Sequence, residues 1–182
     1  LSQTVKEWTS DSNIDINVFA VCSDSSAGRR KDSEDLSIYD LAIPATTDTK
    51  TLIEKYRSIK SKEKMTVFLS TYQSIEIIHE AQKAGIGKFD LVIADEAHRT
   101  TGVTRSGSED SIFTKVHDDS YLPAKKRLYM TATPKIYGDT AKAKAESVDA
   151  RLASFDMSEL YGEEFYRLAF DEAVKRDLLT DY

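Results

Sequence analysis

Short apolar runs alternate along this chain with longer stretches whose apolar residues recur at helical spacing. Residues 48–60 and 73–85 have the period of helices, with Asp48 a predicted N-cap and Gly85 a predicted helix end. The strand-like runs are INVFAVCS (16–23), MTVFLST (65–71), FDLVIAD (89–95) and KRLYMTA (126–132). The first is almost continuously apolar, as expected of a strand covered on both faces. This alternation predicts an α/β fold, a parallel sheet with flanking helices and right-handed crossovers.

The remaining stretches are more polar. We predict loops at 24–47 and 99–111, and a helix-like stretch at 138–152. A helix at 2–9 and another over DEAVKRDLL (171–179) complete the pattern. No internal repeat divides the 182 residues, so they are predicted to form one domain or a large part of one.

Composition limits the classes of protein. A formal charge of -6 excludes a surface coated with basic residues, although a local basic groove remains compatible with it. The single cysteine, Cys22, has no intrachain partner, which predicts a reduced, cytoplasmic setting. No apolar stretch approaches the ~20 residues that span a bilayer, so no membrane partner is expected. The basic clusters at 29–31 and 125–127 are predicted to be solvated surface, and Met65 and Met130 to be core.

Unusual polar residues follow three of the predicted strands. STYQS follows the strand at 65–69, DEAH ends the strand at 89–94, and TATP ends the strand at 127–130. Charges such as those of Asp95 and Glu96 are costly in a core, so they are expected where the strand emerges. Ligands of parallel α/β sheets bind at the carboxyl ends of the strands. Each loop alone is explained equally well as a solvated turn, but three on one rim predict a site.

The motifs carry a resemblance to a known family. DEAH (Asp95–His98) followed by TATP (Thr131–Pro134) resembles motifs II and III of superfamily 2 helicases and translocases. The longer strings LSQTVKEW, FLSTYQS, FDLVIADEAHRTTG, RLYMTATPKIYG and ELYGEEFYRLAFDEAVKRDLLTDY resemble the motor domain of type I and type III restriction enzymes and their single-chain relatives. The resemblance implies the first RecA-like lobe of a P-loop NTPase, with ATP and Mg²⁺ as cofactors.

The resemblance implies catalytic roles for the DEAH residues. Asp95 would hold Mg²⁺ through water, and Glu96 would orient and deprotonate the attacking water. His98 would hydrogen-bond to Thr131 or Thr133 and couple hydrolysis to the neighbouring loop. The alternatives are a solvated strand-end turn for the two acids, a turn histidine, and local turn capping by the threonines.

Contacts to nucleic acid are implied at two other segments. Ser2, Gln3 and Thr4 match motif Ia, and Thr71, Tyr72 and Gln73 match motif Ib, which in the family contact the sugar-phosphate backbone. Hydroxyls, amides and helix N-termini suit that task, since they bind phosphate without reading sequence. Gln3 and Gln73 are equally explained as helix caps. Arg99 would pair either with phosphate or with a nearby carboxylate.

One expected motif is missing from residues 1–182. Neither AGRRKDS nor AGIGKFD has the glycine spacing of a G-x-x-x-x-G-K-[ST] phosphate loop. We therefore expect an incomplete first RecA-like lobe, running from motif Ia to the start of the inter-lobe linker and lacking the Walker A strand and loop. The Walker A segment and the second lobe, with its catalytic arginine, would come from the same parent chain.

Two hypotheses about function follow. In the first, the parent is an ATP-dependent DNA helicase or translocase of a bacterial restriction-modification system, with nuclease and methyltransferase domains or subunits as partners. In the second, the chain is a non-catalytic fragment or interaction module that keeps the fold. The isolated chain is expected to be inactive as an ATPase. Because an interior strand is missing, we also expect it to self-associate, to pack its sheet differently, or to come from a longer chain whose other parts are not seen.

Overall fold

The computed structural model describes residues 14–22, 45–60, 63–104, 111–147 and 150–180. The strands in this part of the chain are β1 (Ile16–Val21), β2 (Met65–Ser70), β3 (Phe89–Ala94), β4 (Gly102–Thr104), β5 (Ala124–Tyr129) and β6 (Arg151–Ala153). The α-helices are α1 (Thr49–Arg57), α2 (Ile75–Ala81), α3 (Ser111–Thr114), α4 (Asp139–Ser147), α5 (Ser158–Tyr161) and α6 (Phe170–Lys175). Short 3₁₀ turns lie at Tyr72–Ser74, Ala97–Thr100 and Lys115–His117.

The described strands pair two by two. β1 and β2 are parallel, in register from Ile16↔Met65 to Val21↔Ser70. β3 and β5 are also parallel and run from Phe89↔Ala124 to Ala94↔Tyr129. The chain is therefore a mixed α/β protein with parallel strands and helices, as predicted. The sheet is not continuous over the described residues, however, and the two pairs meet through side chains such as the rings of Phe68 and Phe89, whose centroids are 5.5 Å apart.

A third, antiparallel pair was not expected from the sequence. β4 lies in the predicted loop 99–111, and β6 lies at the end of the predicted helix-like stretch 138–152, of which α4 is the helical part. Both strands have three residues, too few for alternation of apolar and polar side chains to show. They pair because the chain brings them together over a long sequence separation, which a local pattern cannot reveal.

The helices that cover the strands begin and end largely where the sequence indicates. The Asp48 side chain caps α1 by accepting from the Thr51 amide at 2.8 Å, and Leu52 in that helix is fully buried. α2 ends at Ala81 and continues as a π turn in which Gly85 adopts a φ of 121°, a left-handed conformation that favours glycine. The buried core that α1 and α2 share with the strands consists of Val21, Leu52, Ile75, Ile78, Ala81, Ala94, Ala97, Val116 and Leu122.

Several apolar residues lie outside this core. Met65 and Met130, predicted to be buried, are 48% and 42% exposed. Leu91 and Ile93 of β3 are 49% and 41% exposed, whereas Ala94 is buried. Successive side chains of a strand point to opposite faces, so Leu91 and Ile93 share the face that Ala94 does not. The prediction of core positions was therefore wrong for both methionines: Met130 continues this open face of the β3–β5 pair, and Met65 is the first residue of β2, in the other parallel pair.

Arg127 was also predicted wrongly, as solvated surface. Its side chain is only 13% exposed, and its guanidinium donates to the carbonyls of Val116 and Leu122 and pairs with Asp119. Lys125 does lie at the surface, in an ion pair with Asp90 at 2.6 Å. The cluster at 29–31 lies outside the described residues.

Candidate active site

The loops that follow β3 and β5 lie side by side. The two strands are parallel and end together at Ala94 and Tyr129, so both loops leave the same edge. The Met130 amide donates to the Ala94 carbonyl at 3.0 Å, and the Ala97 amide donates to the Met130 carbonyl at 2.9 Å. These two hydrogen bonds continue the ladder past the strand ends and hold the DEAH residues against the start of the TATP turn.

Asp95 is the first exposed residue of this edge. Its Oδ1 accepts from the Glu96 amide at 2.9 Å, which fixes the orientation of the carboxylate. Within the described part of the chain, Oδ2 has no hydrogen-bond partner. A solvated carboxylate oxygen is the donor that Mg²⁺ prefers, and Mg²⁺ keeps most of its water when few protein ligands are offered. The described residues form no cluster of three or more His, Cys, Asp or Glu side chains that could hold a metal ion.

Glu96 has a left-handed backbone, with φ 49° and ψ 42°. A residue other than glycine pays about 1–3 kcal/mol for such a conformation, which the surrounding structure must offset. Here the neighbouring hydrogen bonds of Asp95 and Ala97 hold the turn. The conformation turns the Glu96 carboxylate toward His98, with Oε2 3.2 Å from Nδ1, while the side chain stays 61% exposed.

His98 connects the two loops. Its Nδ1 lies 3.1 Å from the Thr131 hydroxyl and 3.4 Å from the Thr133 hydroxyl. The Thr133 amide donates to Thr131 Oγ1 at 3.1 Å, which closes the TATP turn. One ring nitrogen cannot bond strongly to three oxygens, so Glu96 and the two threonines compete for it. The structure thus brings together all five residues that the sequence analysis assigned to hydrolysis and coupling.

The segment matched to motif Ib lies beside this edge. The Thr71 hydroxyl is 2.9 Å from the Ser74 hydroxyl, and the Tyr72 hydroxyl donates to the Asp95 carbonyl at 2.8 Å. Gln73 lies inside the 3₁₀ turn, whose N-cap is Thr71, so it is not a helix cap. Gln3 and Thr4, like Ser2, lie outside the described residues.

Arg99 is exposed and contacts an aromatic ring. Its guanidinium carbon lies 5.2 Å from the centroid of Phe113, at cation–π distance. The contact of Arg99 in this structure is therefore the Phe113 ring of α3, which differs from the phosphate or carboxylate expected from the sequence.

A buried cluster behind the DEAH loop was missed by the sequence analysis. Thr100 is fully buried, and its hydroxyl donates to the Ala97 carbonyl at 2.8 Å and lies 3.0 Å from the Tyr161 hydroxyl. His117 places Nε2 3.4 Å from the Thr100 carbonyl and Nδ1 2.9 Å from the Tyr129 hydroxyl. The only sequence signal is indirect: Thr100 follows DEAHR, and Tyr161 lies in the string ELYG.

Burial controls the protonation of this cluster. It lowers the pKa of His117 and raises the pKa of Tyr129 to about 12, because the charged form of each is poorly solvated there. A neutral His117 donates from Nε2 to Thr100 and accepts from Tyr129 at Nδ1, which satisfies both ring nitrogens. The cluster therefore packs the back of the loop with neutral, hydrogen-bonded groups.

Every helix in the described part of the chain falls short of the length and apolar character that a membrane crossing needs.

Comparison with known proteins identifies the family. Residues 24–136 match the family described as type III restriction enzyme, res subunit. A nuclease-deletion mutant of the Type ISP restriction-modification enzyme LlaGI, solved in complex with a DNA substrate mimic, is 40% identical over 100% of this chain, with a TM-score of 0.70. The ATP-dependent Type ISP restriction-modification enzyme LlaBIII, solved bound to DNA, is 43% identical over 100% of this chain, with a TM-score of 0.76.

The chain spans only 13% and 12% of the length of those two proteins. No curated protein sequence matches it. The family match covers more than half of the chain, and both structural relatives are well above 30% identical over its full length. The predicted resemblance to superfamily 2 motors of restriction enzymes is thereby confirmed: the chain belongs to the helicase-like family of restriction-enzyme res subunits and is homologous to part of the Type ISP restriction-modification enzymes.

Proposed function

We propose that this chain is the hydrolytic part of the first RecA-like lobe of an ATP-dependent DNA helicase or translocase of a restriction-modification enzyme. Asp95 holds Mg²⁺ through water and Glu96 acts as the general base. His98 couples them to Thr131 and Thr133. One observation supports this above the others: the parallel pairing of β3 and β5 puts both acids and both threonines on one edge, with Glu96 and the two threonines within reach of His98.

The chemistry of each residue suits its role. Asp95 offers a fixed, solvated oxygen, and Glu96 is exposed, so its carboxylate can receive a proton from water. Bound Mg²⁺ neutralises charge on the phosphates of ATP. Because Glu96 is bonded to His98 here, a change in that bond also changes the orientation of the base.

The chain needs further parts of its parent for catalysis. Residues 1–182 contain no G-x-x-x-x-G-K-[ST] sequence, so a Walker A loop from elsewhere in the parent must hold the triphosphate. LlaBIII is described as ATP-dependent and bound to DNA, and LlaGI as in complex with a DNA substrate mimic, which supports DNA and ATP as ligands of the parent. A second lobe, nuclease and methyltransferase components and a cytoplasmic location belong to the same proposal.

The test is DNA-stimulated ATP hydrolysis by the full-length parent. We expect Glu96→Gln and Asp95→Ala to lower kcat by about 100-fold or more, since each removes a group that acts at the reacting phosphate. Asp90→Asn is the matched control, because it removes an exposed carboxylate from the opposite end of the same strand. Chain 1–182 alone should hydrolyse ATP at the background rate.

The contrary results are equally specific. If the Glu96→Gln parent hydrolyses ATP at the wild-type rate, Glu96 is not the general base. A parent that has no Walker A sequence and no ATPase activity would favour the alternative, in which the chain is an interaction module that retains the fold. The absence of a phosphate loop from 1–182 is the observation that favours this alternative.

A further inference from the structure

We infer that Tyr72 is a positioning residue that links DNA binding at the turn Thr71–Gln73 to the orientation of Asp95 and Glu96. The inference rests on the proposed function. It assigns Tyr72 a role different from the contact with the sugar-phosphate backbone of DNA that the motif resemblance implies. Tyr72 thereby acts through the protein backbone and not through a nucleotide.

The hydroxyl of Tyr72 is bonded to the strand that carries the acids. It donates to the Asp95 carbonyl at 2.8 Å, across 23 residues of sequence. That carbonyl belongs to the first residue after β3, and the next residue is the strained Glu96. The Asp95 side chain is tied to the Glu96 amide, so a shift of the Asp95 backbone moves both carboxylates together.

The Tyr72 ring is held in place from the other side. Its centroid lies 5.5 Å from that of Phe113, and Phe113 in turn carries the guanidinium of Arg99 at 5.2 Å. Arg99, which follows the DEAH sequence, and Tyr72 of motif Ib therefore both contact the Phe113 ring of α3. Two separate contacts, one through the hydroxyl and one through Phe113, connect the 3₁₀ turn to the DEAH loop.

Two contacts between Thr71 and Ser74 close the turn itself. The Ser74 amide donates to the Thr71 carbonyl at 3.1 Å, and the two hydroxyls lie 2.9 Å apart. A phosphate that binds at the Thr71 hydroxyl would compete with the bond between that hydroxyl and Ser74. Tyr72 lies between these two residues, so we expect the change to reach the Asp95 carbonyl through the Tyr72 hydroxyl. The Tyr72 hydroxyl is already engaged as the donor to that carbonyl.

The test compares Tyr72→Phe with wild type in the full-length parent. Phenylalanine keeps the ring against Phe113 and removes only the hydrogen bond to Asp95. We measure the dissociation constant for DNA, and kcat and KM for ATP with and without saturating DNA. The ratio of the DNA-stimulated to the DNA-free kcat should fall about fivefold, as expected for one lost hydrogen bond. The dissociation constant for DNA and the KM for ATP should stay within about twofold of wild type.

Two further variants separate this role from a structural one. Tyr121→Phe is the control, since Tyr121 is also half-buried but its hydroxyl accepts from Lys115. Phe113→Leu keeps the Tyr72 hydroxyl and removes the ring that holds it, so it should also lower the stimulation ratio, while Tyr121→Phe should not. This second variant tests the link independently if Tyr72→Phe folds poorly.

The inference and the proposed function fail in different ways. If Tyr72→Phe and Phe113→Leu leave the stimulation ratio unchanged in an active parent, the inference is wrong and the proposed function stands. If Tyr72→Phe instead weakens DNA binding while stimulation at saturating DNA persists, Tyr72 is a direct DNA contact and the inference is also wrong. If the wild-type parent hydrolyses no ATP, the proposed function fails first and the inference fails with it.

Discussion

His98 and Glu96 show how single residues shape the candidate site. The left-handed backbone of Glu96 costs conformational energy. In this conformation the Glu96 carboxylate lies near Nδ1 of His98, the same nitrogen that the hydroxyls of Thr131 and Thr133 approach from the other loop. Strain at Glu96 therefore accompanies a contact among four residues of two loops. Behind them, Thr100 and His117 hold the loop without facing the solvent-exposed edge.

His117 predicts a dependence of stability on pH. Burial lowers its pKa in the folded chain below the ordinary value of 6.5, with the positive charge of Arg127 acting in the same direction and the bond to Thr100 opposing it. At acid pH the unfolded chain then binds more protons than the folded chain. The contribution of His117 to the free energy of unfolding is therefore complete above about pH 6.5 and decreases as the pH drops below it. Tyr129 and Tyr161, the other titratable groups that face the ring, stay neutral there because burial raises their pKa.

The measurement is the thermal unfolding of chain 1–182 between about pH 5 and pH 8. We expect His117→Gln to flatten the acid side of the profile, because glutamine can still donate to Thr100 but does not titrate. His79→Gln serves as the control, since His79 stacks on Tyr121 in a different part of the core. An identical acid slope in wild type and His117→Gln would contradict the assignment.

At the scale of elements, β5 does more than carry the TATP turn. Its Arg127 reaches back to the segment between α3 and β5, where it bonds the carbonyls of Val116 and Leu122. Those carbonyls belong to buried residues, and they would otherwise lack donors as the chain turns into the strand. One arginine with several parallel donors thus ties a strand to the loop that precedes it.

Substitution of Arg127 tests this arrangement. Arg127→Met should lower the free energy of unfolding by about 2–3 kcal/mol, because it keeps the packing of the side chain but leaves buried carbonyls without donors. Arg127→Lys should recover only part of the loss, since a single ammonium cannot reproduce the several donors that the planar guanidinium directs at separate acceptors. Urea unfolding measures the free energy of unfolding of both variants. Lys125→Met is the control, because it removes an exposed ion pair that contributes little to stability. Equal stability of Arg127→Met and wild type would refute the role.

At the scale of the molecule, one face of the β3–β5 pair is apolar and open in the described structure. Leu91 and Ile93 pair with Lys126 and Leu128, so their side chains share a face that extends toward Met130. Apolar side chains in a row on a strand pair are a favourable surface for association. The three strand pairs also leave backbone edges that another chain can pair with.

We therefore expect chain 1–182 on its own to self-associate. Sedimentation velocity over a range of concentrations should show oligomers or larger species, and Leu91→Glu with Ile93→Lys should shift the distribution toward monomer. The matched control is Glu80→Lys with Lys175→Glu, which changes exposed helical positions and also leaves the net charge unchanged. A wild-type chain that stays monomeric at about 100 μM would contradict the expectation.

Local sequence patterns were sufficient to predict the longer strands and the helices α1 and α2, and the motifs indicated the residues of the candidate site. Caps such as Asp48, the period of α1 and α2, and the apolar runs act within a few residues, so their signals are local and readable. The motif strings pointed to Asp95, Glu96, His98, Thr131 and Thr133, and to the family. Tertiary structure alone decided the β4–β6 pair, the cluster around His117, the burial of Arg127 and the exposure of Leu91, Ile93, Met65 and Met130. It also decided that Tyr72 contacts Asp95. Each of these depends on which distant segments meet, and burial is a property of what covers a residue, which its own sequence neighbours do not specify.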